Sequence, residues 1–105
     1  MRKHTRVPDV ALVVVDDDPA VLDHARDLFR RNVPLAVVSN HYADVVPFML
    51  GNNGYTVALV ADVDDPGQLA EAIVITERRL GPVGSVIRYA ADLSAAGSGT
   101  AAPAA

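Results

Sequence analysis

Val10-Ala11-Leu12-Val13-Val14-Val15-Asp16-Asp17-Asp18-Pro19 sets the architecture of this chain. Six apolar residues in succession, mostly β-branched, suit a strand buried on both faces of a parallel sheet, because such a strand loses the polar alternation of a half-solvated one. The three acids end the run. Asp18 before Pro19 then predicts a helix start, with an aspartate N-cap and a proline at the first helical position, where a missing N–H leaves no bond unmade. Val21, Leu22, Ala25, Leu28 and Phe29 recur at helical spacing as far as Asn32.

Outward from that unit the pattern repeats. Residues 34–38 form a second short apolar run and residues 55–61 a third. Asp65-Pro66 repeats the cap-plus-proline device, with Gln68 placed for a capping box. The helix after it runs to Leu80 and stops at Gly81-Pro82. Residues 83–90 supply the fourth strand. Between the second and third strands, residues 41–50 carry Tyr42, Val45, Val46, Phe48 and Met49 together with Pro47, which predicts a broken or kinked helix. Residues 51–54, Gly-Asn-Asn-Gly, read as a turn. Strands alternating with helices predict an α/β domain, a parallel four-stranded sheet with helices on both faces.

The chain has 105 residues, enough for one domain. Residues 1–9 read as an N-terminal arm, 10–93 as the domain, and 94–105, rich in Ala, Gly and Ser, as a flexible low-complexity tail. There is no cysteine, which removes disulfides, thiolate zinc sites and cysteine nucleophiles together. A net charge of −4 and a pI of about 5.1 argue against nucleic-acid binding, and Arg2, Lys3 and Arg6 read as a solvated basic arm. No stretch approaches the roughly 20 apolar residues of a membrane span. The run 10–15 is too short for a signal peptide, so a cytoplasmic location is expected.

Ala61-Asp62-Val63-Asp64-Asp65-Pro66, followed by Gly67-Gln68-Leu69 and later by Glu77-Arg78-Arg79-Leu80-Gly81-Pro82-Val83, resembles the third strand and following helix of the short-chain dehydrogenase/reductases. The similarity extends over residues 10–92, the N-terminal part of a family whose members are more than twice as long. It implies a Rossmann-like half with strand order 3-2-1-4, and it implies that Asp62 and Val63 occupy the positions that contact the adenine ring of the cofactor. The departures are as informative. The family's three loop glycines after the first strand fall here on Val15, Pro19 and Val21. Valine and proline do not readily supply the positive φ such a loop needs. Asp16, Asp17 and Asp18 would face the phosphates, and like charges about 4 Å apart cost about 4 kcal/mol at an effective dielectric of 20. Arg88-Tyr89-Ala90-Ala91 stands where the family has Asn-Asn-Ala-Gly, and neither Tyr89 nor Tyr55 has a lysine four residues on. The expectation is a non-catalytic, truncated relative that binds neither NAD nor NADP and serves as an interaction or regulatory module, with a reductase subunit completed by a partner chain as the alternative.

Val13-Val14-Val15-Asp16-Asp17-Asp18-Pro19 also resembles the start of a response-regulator receiver domain. That likeness implies that Asp16, Asp17 and Asp62 converge on Mg²⁺, with Asp62 as phosphoacceptor and Pro66 four residues later. The threonine or serine expected near Ala90 or Ala91 is absent.

The order 3-2-1-4 would leave the fourth strand at a sheet edge, with Val83, Ser85, Val86 and Ile87 as the expected interface of a homodimer. Phe48 and Met49, in the short apolar segment, read either as packing against the sheet or as a second surface for a partner protein or an apolar ligand.

Overall fold

The opening run becomes strand β1, Val10–Val14, buried along its length except at half-buried Ala11. The structure is a computed structural model that describes residues 9–49 and 54–93. In chain order β1 is followed by α1 (Pro19–Arg30), β2 (Leu35–Ser39), α2 (Tyr42–Met49), β3 (Thr56–Val60), α3 (Pro66–Arg79) and β4 (Val83–Ile87). All strand pairings are parallel and the sheet order is β3-β2-β1-β4. This is the Rossmann-like half expected from the sequence. The basic arm with Arg2, Lys3 and Arg6, most of the turn at 51–54, and the tail from residue 94 lie outside the described residues.

Two apolar clusters cover the two faces of the sheet. Val13, Val15, Leu35, Val37 and Ile87 pack with Val21, Ala25 and Leu28 of α1 and with Val45 and Phe48 of α2. Val10, Leu12, Val14, Ala36 and Val38 pack with Ala72 of α3. The alternation of side chains along a strand assigns successive residues of β1 to opposite clusters, which is why the run had to be apolar throughout. Phe48 is 1% exposed and meets Phe29 edge to face at 5.5 Å. Of the two residues read as a second surface, Phe48 is therefore core, and Met49 alone is exposed.

Both aspartate caps form. Asp18 Oδ1 accepts the Ala20 N–H at 3.0 Å, and Asp65 Oδ1 accepts the Gly67 N–H at 2.9 Å. Four local expectations are corrected. Helix α1 ends at Arg30, and Asn32 takes a φ of 57°, outside helical space. Gln68 makes no capping box; its Oε1 accepts from the Asp62 N–H at 2.8 Å, while the Asp65 N–H is taken by the Asp62 carbonyl. Pro47 lies inside α2 without ending it. The proline forfeits one backbone bond, but it sits on the exposed side while Val45 and Phe48 anchor the helix on the sheet, and such packing, not propensity, stabilises a helix of eight residues. The fourth strand ends at Ile87, and residues 90–93 form a helical turn.

Strand β4 departs from regular pairing at one bulge. Val10 and Ala11 stand opposite Val83 and Ser85, so Gly84 is the extra residue in β4. A Cβ at Gly84 would collide with the Asp9 side chain, 2.7 Å from Oδ2 and 2.8 Å from Cγ.

Candidate functional site

The C-terminal ends of parallel strands are where open α/β sheets take ligands, and here all four ends contribute to one cavity of about 100 Å³. Val14, Val15 and Asp16 come from the end of β1, Asn40 and His41 from β2, Asp62, Val63 and Asp64 from β3, and Arg88 from β4. Asp16 and Asp62 both line it, and Asp17 does not. Strand β2 separates β1 from β3, whereas a receiver-like order would set β1 and β3 side by side. Among the described residues no three His, Cys, Asp or Glu side chains are grouped to hold a metal ion.

Most charged groups around the cavity have a local structural task. Asp62 Oδ1 accepts the Asp64 N–H at 3.0 Å, closing the loop after β3 on itself. Val63 packs on the α3 side of the sheet. Asp64 Oδ1 receives Arg88 Nη2 at 2.8 Å, tying the loop after β3 to the end of β4. The bond to Asp64 raises the Arg88 pKa further above its ordinary value. The Arg88 guanidinium also lies 5.4 Å from the Tyr89 ring centroid. Asp92 Oδ2 accepts the Arg88 and Tyr89 N–H groups at 2.9 Å each, and these bonds hold its carboxyl below the usual range. On the β2 side, Ser39 Oγ donates to Asp44 Oδ2 at 2.8 Å and accepts the His41 N–H, which satisfies a buried hydroxyl.

The crevice between β1 and β4 is the point where the chain's winding reverses, and it is occupied from within. Asp18 caps α1 with one carboxylate oxygen and with the other accepts the Ala90 N–H at 3.2 Å. A helix N-terminus offers its free N–H groups and positive dipole end to an anion. Here that anion is the protein's own carboxylate, and it also binds the loop after β4.

The second expected site is the β4 edge. Ala11 and Val15 donate backbone bonds toward β2, while Val10 donates toward β4. Leu12 therefore also faces β4, where it stands opposite Val86. In a parallel ladder such a residue bonds to the neighbours of its partner, so Val86 turns its own N–H and C=O away from the sheet. The Val86 side chain is 45% exposed, Val83 and Ser85 are half-buried, and Ile87 is buried in the core.

Reasoning from sequence missed Arg88 as the partner of Asp64, Asp92 as the clamp of the β4 end, and Asp18 as a link between distant loops. The Asp64–Arg88 and Asp18–Ala90 bonds have no spacing signal, because those partners meet only through the sheet. Asp92 lies only three and four residues from Tyr89 and Arg88, a local spacing that the sequence did offer. The chain matches no protein-family model, no curated protein and no solved structure.

Proposed function

We propose that this domain acts without chemistry of its own, as an interaction module that forms a homodimer along β4. The observation that carries the reading is the edge position of Val86, with its main-chain groups turned outward and its side chain exposed. An edge of this kind is a template for another strand, and a two-fold axis beside Val86 joins two four-stranded sheets into one. The Asp18 carboxylate, bonded to the Ala20 and Ala90 N–H groups at the α1 N-terminus, supports this reading, since it sets a negative charge where an anionic cofactor would approach. Sedimentation at tens of micromolar tests the dimer, and Val86→Pro locates it. Because the Val86 N–H points away from β1, proline removes the outward donor and leaves the β1–β4 ladder intact. The expected result is a dimeric wild type and a folded, monomeric Val86→Pro protein. A monomeric wild type, or a dimer untouched by the folded variant, overturns it.

The cavity over the strand ends supports a second reading, a ligand-holding subunit completed by another chain. It requires cofactor binding that arises only when a second polypeptide completing the site is added.

A further inference from the structure

The sheet has a second edge, β3, and it lacks the bulge and the tied-off end that interrupt β4. Strand β4 carries a bulge at Gly84, and Asp92 takes the Arg88 N–H just past its end. Strand β3 pairs with β2 in unbroken register and consists of Thr56-Val57-Ala58-Leu59-Val60, with no charge and no proline. Leu35 donates to the Tyr55 carbonyl and Ala61 donates to the Ser39 carbonyl, so Leu35, Val37 and Ser39 face β3. Their partners across the ladder include Ala58 and Val60, which therefore direct their N–H and C=O groups outward. Val60 is also 50% exposed.

Beside this edge, between β3 and α3, lies a cavity of about 150 Å³. Leu59, Ala72 and Ile75 form its apolar part, and Gln68 and Glu71 its polar part. Gln68 is held in place by its bonds to the Asp62 N–H and to Asp65. Glu71 is exposed, and no described cation pairs with it. An aliphatic floor under an unpaired carboxylate suits a side chain with an aliphatic stem ending in a positive charge, and lysine, whose flexible four-carbon stem ends in a compact ammonium, fits it.

We propose that the β3 edge and this cavity together bind an extended, lysine-bearing segment of a partner protein. The segment adds a strand to the sheet through the outward groups of Ala58 and Val60. Its lysine stem lies on Leu59, Ala72 and Ile75, and its ammonium meets Glu71. Main-chain bonds of this type supply affinity, and the pocket for an alternate side chain supplies selectivity.

The test uses a fluorescein-labelled peptide, acetyl-Thr-Val-Thr-Lys-Thr-Val-Thr-amide, and its counterpart with glutamate in place of lysine, titrated with the full chain by anisotropy. The lysine peptide is expected to bind about two- to fivefold more tightly than the glutamate peptide, the scale of one exposed ion pair. Glu71→Lys is expected to reverse that preference without disturbing the fold. Ala58→Pro, which removes an outward donor, is expected to abolish binding. Should that variant fail to fold, N-methylation of alternate peptide amides serves the same purpose. Val86→Pro is expected to bind the peptide as wild type does, because β4 lies at the opposite edge, so this result and the dimer result stand or fall separately. Equal binding of the two peptides, no saturable binding, or a dimer broken by Ala58→Pro and not by Val86→Pro overturns the proposal, the last by assigning the β3 edge to a second copy.

Discussion

Asp18 and Ala90 stand 72 positions apart in the chain, yet the Ala90 N–H donates to Asp18 Oδ2 at 3.2 Å. The same carboxylate caps α1 through Ala20. One side chain thus joins the loop after β1 to the loop after β4, across the crevice where sheets of this order take ligands. Asp65 has the same place before α3, but both its bonds, from the Gly67 N–H and from the Gln68 side chain, stay within its own helix start.

That difference predicts unequal costs. Asp65→Ala should lower stability by about 1 kcal/mol, the ordinary worth of an N-cap. Asp18→Ala should lower it by about 2 kcal/mol, since the bond to the distant Ala90 N–H is lost with the cap, whereas the second bond of Asp65, from Gln68 Nε2, is long at 3.4 Å and local. Urea midpoints of the two variants decide it. Equal losses would mean that the Ala90 bond contributes nothing.

The crevice closure also bears on cofactor binding. With a carboxylate already at the α1 N-terminus, calorimetric titration with NAD and with NADP should give no dissociation constant at or below the low micromolar range. A tight isotherm with either cofactor would refute this.

Gly84 is required at the bulge for a steric reason. Gly84→Ala places a methyl group against the Asp9 side chain and should cost roughly 1–3 kcal/mol, as overpacking does. Asp9→Gly in the same chain should restore most of the loss. Thermal midpoints of the single and double variants measure both effects.

Thr76 offers a stabilising change. It is fully buried in α3, and its hydroxyl oxygen makes no hydrogen bond. Thr76→Val keeps the shape and removes a desolvated polar group, so stability should rise by about 1 kcal/mol. A lower thermal midpoint would contradict it.

Acid should weaken the fold through Asp92 and Asp27. The Asp92 carboxyl is held low by the Arg88 and Tyr89 N–H groups, and that of Asp27 by the hydrogen bond from Arg31. A carboxyl whose folded value is depressed contributes stability above the unfolded aspartate pKa of about 3.9 and loses it as pH falls through the folded value. Urea midpoints should therefore decline on the acid side. Asp92→Asn should flatten part of that decline, and an unchanged acid limb in the variant would rule the assignment out.

Local chemistry along the chain dictates the elements and their order. The unbroken apolar run at 10–15 requires a strand covered on both faces, and Asp18-Pro19 and Asp65-Pro66 mark two helix starts to the residue. These signals are legible because periodicity and capping act between residues one to four positions apart. Packing across the sheet settles the rest. Pro47 stays inside a helix because Val45 and Phe48 are anchored on the sheet, and Phe48 turns inward to Phe29 for the same reason. Gln68 leaves its own helix start to bind the Asp62 N–H. The fourth strand stops at Ile87, where Asp92 takes the next two N–H groups; that contact spans only three and four positions and is local, not a product of the sheet. The cavity at the strand ends, the Asp64–Arg88 pair and the Asp18–Ala90 bond join residues that only the parallel sheet brings together, and contacts made by a crossover leave no period in the chain to read.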